Sequence, residues 1–245
     1  MTILSTIAKL GRGVGPVCAL TLVLAGTSAM AESAKSRAAA KQAVTQPSTP
    51  APAPAAEGAE TAVVSGFRSA HFGMTEAQVR GAIEKDFGLK GEAVKEETNL
   101  AQQTHALTVM VPDLLEGGGR ALVAYVFGYK TKTLIQVGVT WSKQTDPAMT
   151  PEKLISNGSI LQAHFITAGY EAQSVATNLA VPNGDLLFYG ADASGHTTRL
   201  LLVGKPKEED NNRRVLTPDV IEALSLSYAV NAKNPDIFKL PDGKF

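Results

Sequence analysis

The side chains best equipped for chemistry are four histidines, His71, His105, His164 and His196, and one cysteine, Cys18. No two histidines stand at His-x-His or His-x-x-x-His spacing, and none has a carboxylate beside it in a ligand pattern. Surface or internally satisfied histidines fit better than metal ligands. Ser159 sits in Asn157-Gly158-Ser159-Ile160, which lacks the Gly-x-Ser-x-Gly frame of a nucleophile elbow. Gly117-Gly118-Gly119 is followed by neither a Lys-Ser nor a Lys-Thr pair, so it reads as a hairpin turn and not a phosphate loop. Glu208-Glu209-Asp210 could attract a cation but lacks the alternating ligands and central glycine of a calcium loop. The spacing therefore predicts no catalytic residue, no metal site and no cofactor, and the chain is read as a non-enzyme.

The aromatic residues suggest recognition. Tyr125, Phe127 and Tyr129 alternate along one stretch, and Trp141 lies in the next. Such a sheet face is either core beneath a helix or an open partner-binding surface. A helix must cover something, which favours core. These four are the candidate partner-binding residues.

The elements that must position them are legible from periodicity. Thr75 as N-cap with Gln78 three residues on makes a capping box. Val79, Ile83 and Phe87 then form one apolar stripe, and Gly88 closes the helix. Period-two alternation marks strands at 92–99, 105–111, 121–129 and 134–141. In the last, Ile135, Val137, Val139 and Trp141 are expected inward, with Gln136, Gly138 and Thr140 outward. The order then restarts. Thr150 caps a second helix with Pro151 at its first position, and Asn157-Gly158 is expected to bend or split it. Strand patterns follow at 170–178, 185–191, 197–205 and 223–231. Lys205–Arg214 reads as a solvated connection. The fold class is α+β: two tandem repeats of one helix followed by about four antiparallel strands, helix packed on sheet, at 63–145 and 146–245.

Composition bounds the rest. The 245 residues carry 23 basic and 23 acidic side chains and are 44% hydrophobic. That balance excludes a fully disordered chain and a multi-span membrane protein, and zero net charge argues against a dedicated nucleic-acid binder. Residues 1–31 read as a signal peptide. Lys9 and Arg12 form the basic region, and Ala29-Met30-Ala31 supplies a cleavage site. The apolar core Val17–Ala25 is about 9 residues long, against roughly 20 for a transmembrane span. Cys18 precedes most of that core, so it does not suit a lipobox. Residues 32–62, rich in alanine and proline, contain no aromatic, leucine or isoleucine between Ala38 and Ala62. They are expected to be a disordered linker, either a tether or a passive leader.

The element order resembles the BLIP-like fold of bacterial β-lactamase inhibitor proteins. Phe72-Gly73-Met74-Thr75-Glu76-Ala77-Gln78-Val79-Arg80 is similar to the Gly-Met-Thr-x-x-x-Val helix start of SmpA/OmlA (BamE-like) envelope proteins. The resemblance implies a periplasmic or secreted, non-catalytic binding module acting as scaffold, assembly factor or inhibitor. Its partner would be another envelope protein. The alternative is a periplasmic small-ligand or lipid-binding protein with a pocket between helix and sheet.

Overall fold

Helix α1 spans Glu76–Phe87 and buries Val79, Ala82 and Ile83. Gln78 accepts the Thr75 amide at 2.9 Å, the reciprocal arm of the capping box. Gly88 ends the helix at φ 68°, where a glycine carries no Cβ penalty. The computed structural model describes residues 61–208, 214–240 and 243. The expected signal peptide, the linker up to 60 and the acidic pair Glu209-Asp210 lie outside the described residues. The described chain is already anchored at Ala62, whose amide donates to the Gly169 carbonyl at 2.9 Å. Val64 just beyond it is buried.

A short hairpin, β1 (Gly66–Phe67) and β2 (Ala70–His71), precedes α1, and the sequence patterns did not anticipate it. After α1 come β3 (Lys95–Asn99), β4 (Thr104–Val111), β5 (Ala121–Phe127) and β6 (Leu134–Ser142). Helix α2 (Pro151–Ile166) follows, then β7 (Ala176–Val181), β8 (Gly184–Ala191) and β9 (Thr197–Gly204). The expected connection at 205–214 carries two-residue strands, β10 (Lys207–Glu208) and β11 (Arg214–Val215), before β12 (Ile221–Ala229). Eight strands make one antiparallel sheet in the order β3-β4-β5-β6-β12-β9-β8-β7. The last long strand after each helix meets its counterpart at the centre, with Leu224 opposite Trp141 and Leu226 opposite Val139.

Three expectations need correction. Asn157-Gly158 neither bends nor splits α2, which is continuous from Pro151 to Ile166. Both residues are buried. Asn157 Nδ2 donates to the Gly118 carbonyl at 2.9 Å, and a Cβ on Gly158 would stand 2.7 Å from Leu187 Cδ1. The pair is a close-packing point between helix and sheet. Second, Ile135 is not the first inward residue of β6. A register shift at Val126/Phe127 pairs Phe127 with Leu134, so Leu134 takes the fully buried place. Third, the strand expected at 170–178 begins only at Ala176, because Ala172–Ser174 forms a 3-10 turn.

Both helices and the β1–β2 hairpin serve one face of the sheet. Helix α2 packs on β12, β9 and β8. Residues of α1 share a single buried cluster with Leu107, Val109, Val123 and Tyr125. Phe67 of the hairpin stacks on Tyr228 at 5.9 Å. The two sheet edges are unlike. Strand β3 is guarded by Lys95, Glu96 and Glu97, whereas β7 has no charged residue and is broken by Asn178 at φ 54°. Both are ways of discouraging edge-to-edge pairing.

Candidate functional site

The covered face takes the large aromatics. Tyr125 and Trp141 are 0% exposed and Phe127 is 3% exposed, so none presents its ring to a partner in this conformation. The Tyr125 hydroxyl and the Trp141 indole N–H have no hydrogen-bond partner among the described residues. Burial raises the Tyr125 pKa, with Asp86 adding to the shift and Arg68 opposing it. Tyr129 lies beyond the end of β5 and keeps part of its surface.

Tyr129 lines a groove of about 470 Å³ with Lys130, Asn234, Pro235, Phe238 and Lys239. The segment after β12 builds one wall. Its Asp236 carboxylate accepts the Thr131 amide at 2.9 Å and the Thr131 hydroxyl at 2.8 Å. Burial works against that carboxylate, but the Thr131 and Lys130 donors outweigh it and hold its pKa below the ordinary range. Tyr129 meets Phe238 edge-on at 5.5 Å, and Lys132 Nζ lies 5.2 Å over the Tyr129 ring. The groove is a latch that fastens the C-terminal segment to the β5–β6 turn.

The histidines are dispersed into local contacts. His71 Nδ1 is 3.2 Å from Ser65 Oγ. His105 stacks on Phe127 at 5.9 Å, with Nε2 3.4 Å from Glu76 Oε2. His196 Nδ1 is 2.8 Å from the Val64 carbonyl. The buried Asp192 beside it accepts the Val64 amide at 2.8 Å and the His196 amide at 2.9 Å, pinning the start of the described chain. His164 is exposed on α2. Among the described residues, no three of His, Cys, Asp and Glu gather as a metal site.

The opposite sheet face has a different character. Register places Ala124, Gly138, Ser227, Arg199 and Tyr189 in one cross-strand row on β5, β6, β12, β9 and β8. Leu122, Thr140, Ser225, Leu201 and Leu186 form the next row. A Cβ built on Gly138 meets nothing within 4 Å, so the centre of this face is open. Its central row is small and hydroxyl-bearing apart from Tyr189 and Arg199, and the next row adds the leucines Leu122, Leu201 and Leu186. Gln136, Gly138 and Thr140 were legible on this face from alternation. Arg199 and Tyr189 were not singled out, although Arg199 is the one charged residue within Thr197–Gly204.

No protein-family model, curated protein or solved structure matches the chain. The candidate site therefore rests on geometry. No helix among the described residues is long and apolar enough to cross a membrane.

Proposed function

We propose that this protein is an exported, non-catalytic binding module of the bacterial cell envelope, a scaffold, assembly factor or inhibitor that engages another envelope protein. The observation that carries this reading is the division of the sheet. Helices and hairpin cover one face, while the other is broad and open at its centre, where Gly138 offers backbone for close approach. A wide, shallow floor suits a protein surface better than a small molecule, which takes a concave site enclosing most of its area. The space between helix and sheet, where a lipid or small-ligand pocket would lie, is occupied by Trp141, Leu224 and Phe165.

Export, with a signal peptide at 1–31 and a periplasmic or secreted destination, is part of the same reading and rests on the leader pattern. The helix-then-strands order occurs twice, and the final strands of the two runs pair at the centre. That supports two tandem repeats at 63–145 and 146–245 which share one sheet, in the manner of the BLIP-like resemblance.

Gly138→Trp tests the reading. It fills open space on a strand without a positive φ, so the melting temperature stays within a few degrees. Capture of envelope partners by the full chain is expected to fall at least about tenfold, since a bulky ring at an interface centre blocks packing. Undiminished capture by a folded Gly138→Trp protein removes the open face from consideration.

A further inference from the structure

Arg199 stands at the middle of β9 on the open face, between Ser227 of β12 and Tyr189 of β8. Thr197 and Leu201 flank it on its own strand. It is partly buried, and it forms none of the ion pairs found among the described residues. Burial lowers its pKa, and no carboxylate among the described residues offsets that burial. A partly desolvated guanidinium without an anion is unfavourable. Arg80, also partly covered, pairs with both Glu76 and Glu96. Leu201, two residues along on the same face, is only 3% exposed, and a methionine or leucine at position 199 would stand beside it without a buried charge.

We infer that Arg199, with Ser227 and Tyr189 opposite it on the neighbouring strands, is the seat for a carboxylate from an aspartate or glutamate of a partner protein docked on the open sheet face. This rests on the binding-module reading and adds the chemistry that the partner must present. A guanidinium matches a carboxylate with two parallel N–H donors, and the neighbouring hydroxyls can complete its shell. The charge count selects the source. Along the central cross-strand row the other cation is Lys95, on the far edge strand β3. Nucleic acid and anionic membranes are held by arrays of cations, whereas one guanidinium amid small and apolar residues suits one acidic side chain. Gly138 lies two strands from Arg199, about 10 Å away at the usual strand spacing. A partner can therefore rest on the glycine floor while its carboxylate reaches the arginine.

The test is a titration of the full chain with acetate, at constant ionic strength, followed by NMR of the Arg199 Nε–H and the Ser227 amide. Acetamide is the neutral control. Saturable shifts with acetate and none with acetamide are expected. In Arg199→Met the Ser227 response should weaken at least about tenfold, while the melting temperature holds or rises because a buried charge has gone. Arg199→Gln replaces it should the methionine variant fail to fold. A silent arginine, equal responses to acetamide, or a Ser227 response that persists in the variant overturns the seat. Inorganic phosphate binding at least about tenfold more tightly than acetate overturns the carboxylate assignment. Gly138→Trp capture reports on the docking face independently. Lost capture with a silent arginine means that the face binds but the carboxylate seat is wrong, and unchanged capture with a responsive arginine means the reverse.

Discussion

The two faces of the central sheet are built from the same strands and differ in almost every physical respect. On the covered face, Trp141, Tyr125, Phe188 and Leu224 are fully buried, so its energy is hydrophobic and its shape is set by interdigitation. On the open face, glycine, alanine, serine and threonine dominate the centre, and Arg199 carries a charge that no ion pair among the described residues compensates. The largest buried aromatics therefore serve stability. What the open face has to offer a partner is close approach, hydroxyl groups, a few leucines and, away from the Lys95 edge, one cation.

Trp141→Ala should break the covered face most severely, costing about 3–5 kcal/mol in chemical denaturation. A loss below about 1 kcal/mol would mean that the indole does not organise the core. Asn157→Ala is expected to cost about 1–3 kcal/mol, because the Gly118 carbonyl is left buried without a donor. An unchanged midpoint would dissolve the contact between α2 and the glycine turn.

Tyr125→Phe should be neutral or stabilising by up to about 1 kcal/mol, since it removes a buried hydroxyl that has no partner. The same residue has a pH signature. Burial raises the folded pKa of Tyr125 above an unfolded value of about 10. Its contribution is thus complete below the unfolded pKa and is lost as pH rises through the folded one. Tyr228, likewise raised by burial, follows the same rule. Tyr125→Phe should move the alkaline unfolding midpoint to higher pH in circular dichroism, and a midpoint that stays put would place the phenol in contact with water. At the small end, Ser225→Ala and Ser227→Ala should each change stability by less than about 0.5 kcal/mol. A larger loss at either serine would show that the open face is itself structural.

Alternation made much of this contrast legible beforehand. Val137, Val139 and Trp141 against Gln136, Gly138 and Thr140 is a period-two pattern, and both rows lie as that pattern requires. Helix starts were legible because Thr75, Gln78, Thr150 and Pro151 act within one turn of chain. Ile135 escaped because a bulge shifts register, and a bulge is decided by the partner strand. Asn157-Gly158 was misread because its preference for a turn is local, whereas the carbonyl and leucine that hold it in a helix arrive from distant segments. Arg199 escaped for a related reason. One arginine in an apolar strand is unremarkable until the pairing shows that no acid lies beside it.

Strand β12 also sets the timing of folding. It follows both of its neighbours in the sequence, yet it lies between them. Until it emerges from the ribosome or a translocation pore, β6 and β9 have no common partner, and each leaves a row of backbone donors and acceptors unpaired. The pairing of β12 with β6 joins segments far apart in sequence, and non-local pairing of this kind slows folding. Damage to Ile221–Ala229 would therefore deprive β6 and β9 of their shared partner at once.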